Sequence, residues 1–176
     1  MSLLSVSKRM RDQLRDASFA TRLAVADNYL TTGTADTVVS GAVSHYQVQA
    51  EDSQLFPRIL ISEGSSEVVR RFVSGTAFRR VLRHRFGIGA VTVPQQTVER
   101  ARELAAVYGD TIMHTLEAIG ADSSASATSG TPFLVHVDGY QYDAVPGQGV
   151  PGASDADLLG MAIVDVIADE EVEDLV

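Results

Sequence analysis

Apolar residues recur at three- and four-residue steps in two parts of the chain. The first stripe consists of Leu3, Val6, Met10, Leu14 and Ala17, and the second of Val98, Ala101, Ala105, Tyr108, Ile112, Leu116 and Ile119. This spacing places the apolar side chains on one face of a helix. We therefore predict a helix over residues 3–17, which residues 19–29 either continue or pack beside. A longer helix is predicted over residues 97–119, with Gly120 as its C-terminal stop.

Alternating apolar and polar residues, or short β-branched runs, mark the predicted strands. These are residues 57–62, 67–73, 78–93, 131–138 and 158–167. Residues 74–77, Ser-Gly-Thr-Ala, separate the second strand from the third and are typical of a hairpin turn. Gly87 and Gly89 are expected to mark a bulge or a close approach by another backbone, and Asp138-Gly139 a turn.

The order of these elements predicts an α+β fold. We expect an antiparallel or mixed sheet with two main helices packed on one face and a long hairpin. A length of 176 residues suits a single domain over residues 1–176, and 45% apolar with 21% charged residues excludes a disordered chain. Residues 31–44 are expected to form an extended connection, residues 121–130 and 146–155 flexible loops, and residues 169–176 an acidic tail.

Charge is distributed very unevenly along the chain. Residues 1–102 carry all 14 basic residues and 9 acidic ones, whereas residues 103–176 carry 14 acidic residues and no Lys or Arg. Mixed charges are the usual pattern on a solvated surface. Either the fold keeps the two groups apart as faces of opposite sign, or it interleaves them so that the asymmetry cancels.

The sequence contains no pattern that predicts a catalytic, metal or cofactor site. The absence of cysteine excludes disulfides and thiolate chemistry. The histidines, His45, His84, His114 and His136, lack the spacing of zinc ligands, and no Gly-x-Ser-x-Gly elbow is present. No apolar run approaches the roughly 20 residues of a membrane span. We expect a cytosolic protein that is not an enzyme and has neither cofactor nor membrane partner.

Clustered charges predict an interaction surface. Six arginines, Arg70, Arg71, Arg79, Arg80, Arg83 and Arg85, fall on the predicted hairpin. They would suit nucleic-acid phosphates, but a net charge of −9 favours protein contacts, in which arginine pairs with carboxylates. The late acidic residues form either a solvated tail or the partner of this hairpin in a neighbouring copy. The predicted subunit interface therefore contains these six arginines together with Asp165, Asp169, Glu170 and Glu171.

The order of elements resembles that of tail-terminator, or tail-completion, proteins of tailed viruses. The resemblance rests on the basic N-terminal helix, the Phe56-Pro57-Arg58-Ile59-Leu60-Ile61 strand, the hairpin ending near residues 86–93, the helix over residues 97–119 and two closing strands. It implies a virion protein of the neck region that forms a ring, commonly of six copies. Such a ring caps the tail tube, contacts the tube and head-tail connector proteins, and lets DNA pass through its lumen without specific binding.

Other interpretations of the sequence stay open. The chain could be another head-tail connector or minor tail protein, or a nucleic-acid-binding accessory protein that uses the arginine hairpin. A small enzyme of unrecognised type would require converging polar groups that sequence spacing does not reveal.

Overall fold

The chain forms one mixed sheet with helices on one of its faces. The computed structural model describes residues 3–30, 45–47, 56–74, 77–121, 133–150 and 152–175. In chain order its elements are α1 (Leu3–Leu14), α2 (Ala17–Leu30), β1 (His45–Gln47), β2 (Arg58–Ser74), β3 (Ala77–Val91), α3 (Val98–Ala121), β4 (Phe133–Pro146) and β5 (Leu158–Leu175). The strand order is β1-β2-β3-β5-β4, with β1 parallel to β2 and the other pairs antiparallel. The predicted α+β fold is confirmed.

Side-chain caps define where two of the helices begin. Asp16 separates α1 from α2, and its Oδ1 accepts a hydrogen bond from the Ser18 backbone N–H at 2.8 Å. This bond holds the pKa of Asp16 below its usual value. At α3, Thr97 Oγ1 accepts from the Arg100 N–H at 3.2 Å. The prediction of residues 97–119 as one helix is confirmed, and residues 19–29 lie in a separate second helix.

The strand register shows which side chains face the helices. Phe86, Ile88 and Ala90 of β3 lie opposite Val166, Val164 and Ala162 of β5, and all six are buried. This face packs against α1 and α3, while α2 packs mainly on α3. Phe19 and Leu23 of α2 are part of the same core, which also includes Leu14, Leu104 and Tyr108. The helices therefore cover the end of the sheet nearest Arg58, Val91 and Leu158.

Two strands continue where the sequence predicted a break. The segments 57–62 and 67–73 are one strand, β2, interrupted by register shifts between Glu63 and Ser66 and between Val68 and Arg70. Likewise β4 passes through Asp138-Gly139, because the structure places a bulge between Val137 and Gly139 instead of the predicted turn. The hairpin itself is confirmed, since Ser74 pairs with Ala77.

The predicted acidic tail is wrong over residues 169–175. Strand β5 runs to Leu175, and each of these residues pairs with β3. Backbone hydrogen bonding to a long neighbouring strand outweighs the low strand preference of Asp and Glu.

The loop between β4 and β5 has a defined hydrogen-bonding pattern. Gly147 N–H donates to the Asp157 carbonyl at 2.8 Å, and Ser154 N–H donates to Asp157 Oδ2 at 2.7 Å. A flexible loop was predicted over residues 146–155, and these bonds instead tie its ends together. The predicted connection at residues 31–44 and the greater part of the loop at residues 121–130 lie outside the described residues.

Glycines allow α3 to approach the sheet closely. A Cβ added at Gly160 of β5 would meet the Ala101 carbonyl oxygen, and one added at Gly109 of α3 would meet the Tyr140 ring. Gly87 and Gly89, where a bulge or close backbone approach was predicted, show neither. They lie in unbroken register, and a Cβ at Gly89 would have nothing within 4 Å.

Candidate functional site: the distal arm and its base

Three strands of the sheet project past the helices as an arm. We define the distal arm as the residues of β2, β3 and β5 beyond the paired row Ser66, His84 and Ala168, namely residues 67–74 of β2, 77–83 of β3 and 169–175 of β5. At about 3.3 Å per residue, this arm is roughly 25 Å long. Among the arm residues whose side chains are described, only Glu170 is buried.

The arm contains most of the charged residues predicted as a subunit interface. Arg70 and Arg71 lie on β2, Arg79, Arg80 and Arg83 on β3, and Asp169, Glu170 and Glu171 on β5. The register places Arg79 opposite Glu173, Val81 opposite Glu171, and Arg71 opposite Arg80. Arg85 and Asp165 lie below the arm, where Asp165 is exposed and opposite Gly87 and Gly139.

Arg83 and Asp169 form a bidentate ion pair within one chain. Arg83 Nε donates to Asp169 Oδ1 and its Nη2 donates to Oδ2, both at 2.8 Å. This geometry matches the planar guanidinium to both carboxylate oxygens. The hydrogen bond from Arg83 is the main cause that lowers the pKa of Asp169, and partial burial opposes it. The pair thus links β3 to β5 at the start of the arm.

Arg85 of β3 lies between an acidic side chain of the adjacent strand β2 and one of β4, which lies beyond β5. Its Nη2 is 3.8 Å from Glu67 Oε1 and its Nη1 is 3.9 Å from Asp138 Oδ2. All three side chains are about half exposed, so each contact stabilises the sheet only weakly.

Basic and acidic residues lie on neighbouring strands of the arm. The basic strand β3 lies next to the acidic end of β5, so the arm contains five arginines and six carboxylate residues. This register corresponds to interleaving of the two signs, one of the two possibilities that the sequence allowed.

A hydrogen-bonded chain with two buried members lies at the base of the arm, on the face that the helices cover. His84 Nε2 is 3.0 Å from Glu170 Oε2, and His84 Nδ1 is 2.8 Å from Ser66 Oγ. When the carboxylate accepts from Nε2–H, Nδ1 is left to accept the Ser66 hydroxyl proton. His84 is 1% exposed and Glu170 0%, whereas Ser66 is exposed. Ser66, which is exposed to solvent, is therefore hydrogen-bonded to a histidine–carboxylate pair that is buried.

Helix α1 completes this polar cluster. The carboxylate of Glu170 attracts Arg9, although burial is the larger influence on this guanidinium and lowers its pKa. Nearby, Ser7 Oγ donates to Glu63 Oε1 at 2.6 Å. These contacts fasten α1 to β2 and β5 where the covered part of the sheet ends. The base of the arm is consequently held by side chains from four elements.

The bidentate Arg83–Asp169 pair predicts a specific pH dependence of the protein's stability. Because the folded-state pKa of Asp169 lies below its unfolded value near 3.9, the pair stabilises the protein above that pH and loses this effect as the pH falls through the folded-state pKa. Asp169→Asn should lower Tm by about 2–4 °C at pH 7. The difference in Tm between this variant and the wild type should become smaller below about pH 4.

Thermal unfolding followed by circular dichroism at a series of pH values measures this difference. Asp155→Asn, on the exposed loop before β5, is the matched control and should behave like the wild type. A deficit of Asp169→Asn that is equally large at neutral and strongly acidic pH would mean that the ion pair is not its cause.

Sequence reasoning missed the Ser66–His84–Glu170 chain. The three residues are 18 and 86 positions apart, and only strand pairing brings them together. Neither His114 nor His136 joins them. His114 is exposed on α3, and His136 lies on β4, where it attracts Asp169. No cluster of three potential metal ligands occurs among the described residues, and none of the helices described is long and apolar enough to span a bilayer.

Comparison with known proteins does not place the chain in a family. No protein-family model matches the sequence, and no curated protein is significantly similar to it. The arm and its base therefore have to be interpreted from their own geometry.

Proposed function

We propose that the protein is a structural subunit that assembles with copies of itself and that the distal arm is its contact element. The observation that carries the proposal is a pair of exposed valines on strand β2 of the arm. Val68 and Val69 of β2 are 39% and 41% exposed, beyond the end of the helical layer. Narrow sheets without a covered face are marginally stable in water. An arm of this length is expected to be stabilised by a partner.

The edge of the arm favours strand-to-strand contact. Strand β1 pairs only with Arg58, Ile59 and Leu60 of β2. Over the rest of β2, no other strand of the described chain lies against this edge. An unpaired strand edge presents N–H and C=O groups to a second chain, and exposed valines favour such pairing. We expect copies to meet through this edge and not through the arginine–carboxylate contact that the sequence predicted between them. The reason is that Arg83 and Asp169 already pair with each other within one chain.

The resemblance in element order gives the proposal its specific form. On that basis the assembly is a ring, commonly of six copies, that caps the tail tube of a tailed virus and joins it to the head-tail connector. Its place is the neck of the virion, and DNA passes through the lumen without specific binding. The carboxylates beside the arm's arginines support this last point, because they compete with phosphate for the guanidinium groups. The proposal includes no enzymatic step.

Substitutions at the arm edge test the assembly proposal. The wild type should form a discrete oligomer by light scattering, with rings visible by electron microscopy. A Val68→Lys/Val69→Lys variant should remain monomeric at the same concentration, because charged edge residues oppose strand pairing. Val25→Lys is the matched control, since Val25 is a valine on α2 that is 65% exposed and distant from the arm.

The controls separate assembly from folding. Far-ultraviolet circular dichroism should be the same for the wild type and both variants, because all three positions are exposed. A wild type that stays monomeric at every accessible concentration would overturn the proposal. So would an arm variant that forms the same oligomer as the wild type. If a labelled DNA duplex bound the wild type and salt released it, the nucleic-acid alternative would take its place.

A further inference from the structure

We propose that Ser66 is an activated nucleophile that accepts acyl groups from small carboxylic esters. The serine hydroxyl, the His84 ring and the Glu170 carboxylate form a continuous chain with contacts of 2.8 Å and 3.0 Å. A nucleophile bonded to a base that a third group orients is the arrangement used in covalent catalysis. This inference does not depend on assembly of the protein.

Burial gives each member of the chain a distinct role. Glu170 is fully buried, and when its carboxylate accepts a hydrogen bond from Nε2–H it holds the ring in one tautomer and in one orientation. His84, also buried, directs the free Nδ1 toward Ser66. A carboxylate in a low-dielectric environment stabilises the imidazolium that forms when His84 takes the proton. Nδ1, which faces Ser66, is therefore the base, and Nε2 faces the Glu170 carboxylate.

The local backbone makes the Ser66 hydroxyl accessible. Gly64 and Ser65 both lie in the register shift opposite Arg85, which re-aims the strand just before Ser66. A Cβ at Gly64 would meet the Arg85 carbonyl oxygen at 2.8 Å, so the two backbones are in close contact there. Bulges commonly re-aim side chains beside active sites. As a result Ser66 is exposed although its hydrogen-bond partner is buried.

The proposed reaction transfers an acyl group in two balanced steps. Ser66 Oγ forms a bond to the ester carbonyl carbon while its proton passes to His84 Nδ1. The bond to the alkoxy group then breaks, and the leaving oxygen takes that proton from His84, which yields an acyl-serine and an alcohol. In the second step, water attacks the acyl-serine with His84 as base, releasing a carboxylic acid and restoring the Ser66 hydroxyl.

Acetylation by p-nitrophenyl acetate tests the proposal on the full chain. Trypsin cleavage after Arg58 and Arg70 yields a peptide of residues 59–70 that contains Ser62, Ser65 and Ser66. Mass spectrometry of this peptide compares the three serines within one native molecule. Ser66 should be acetylated about 100-fold faster than Ser62 or Ser65, in line with the contribution of a positioned general base. This advantage should vanish in guanidinium chloride.

Two variants separate an activated serine from a merely hydrogen-bonded one. Ser66→Ala should lose the rapid release of p-nitrophenolate, whereas Ser65→Ala, the adjacent control, should keep it. Glu170→Gln should slow acetylation of Ser66 by about 10-fold or more, because an amide stabilises the imidazolium less than a carboxylate does. Ser66 modified no faster than Ser65 in the native wild type would overturn the proposal, and that comparison requires no variant to fold. Unchanged acetylation in a folded Glu170→Gln protein would also overturn it.

Discussion

Replacing Glu170 by alanine is expected to lower the free energy of unfolding by about 3–5 kcal/mol. The carboxylate is fully buried, bonded to His84 at 3.0 Å, and attracts Arg9 of α1. Removing it leaves the His84 N–H without its acceptor and Arg9 without its nearby negative charge. A buried polar group that loses its partner keeps its full desolvation cost.

Urea denaturation followed by circular dichroism measures this loss. Glu117→Ala is the matched control, because Glu117 is exposed on α3 and a substitution there should change stability by less than about 0.5 kcal/mol. Near-equal stabilities of the two variants would show that the Glu170 carboxylate reaches water in solution. In that case the hydrogen-bonded chain to Ser66 would not exist either.

The second large effect is expected for Gly160→Ala, at about 3 kcal/mol. A Cβ at this position would lie 2.2 Å from the Ala101 carbonyl oxygen, which belongs to the backbone of α3 and cannot rotate away. Gly160 is also fixed from its other side, since its N–H donates to Thr92 Oγ1 at 2.9 Å and its carbonyl accepts from the Thr92 N–H at 2.9 Å. The helix must therefore move away from β5, which loosens the core beneath it.

Gly89→Ala provides an unusually close comparison for this substitution. Gly89 is likewise a strand glycine of the same sheet, but a Cβ there would have nothing within 4 Å. Alanine should be neutral or slightly stabilising at this position, by up to about 1 kcal/mol, because it restricts the unfolded chain. Urea midpoints give both values. If Gly160→Ala and Gly89→Ala unfolded at the same urea concentration, α3 would not approach β5 as closely as the geometry shows.

Local sequence patterns correctly predicted the elements that depend on residues close together in the chain. The α3 stripe was evident because one face of that helix packs on the core from Ala101 to Leu116, so that every third or fourth residue there is apolar. Val98, which the predicted stripe also included, is 53% exposed. The Ser74–Ala77 hairpin was evident for a similar reason, since a turn depends on adjacent residues. Strand boundaries were less predictable. Asp138-Gly139 has turn chemistry, yet pairing with β5 carries the strand through it as a bulge.

The candidate site depends on contacts between residues far apart in the sequence. The arginine cluster and the acidic cluster were both visible as charge runs, and the sequence allowed either separation or interleaving of the two. The structure pairs Arg83 with Asp169 across neighbouring strands. It also buries Glu170, which composition alone would place in solvent. Neither outcome follows from spacing, because register between distant strands is set by the whole hydrophobic face.

By itself, the sequence determined the helical stripes, the long hairpin, the lack of thiol chemistry and a charge that reverses along the chain. Each of these is a property of residues close together or of composition. Only the tertiary structure decided that the reversed charges lie side by side, that the arm projects past its helices, and that Ser66 meets a buried His84–Glu170 pair. The physical reason is that strand pairing joins residues 86 positions apart, whereas periodicity records only which side of its own element a residue occupies.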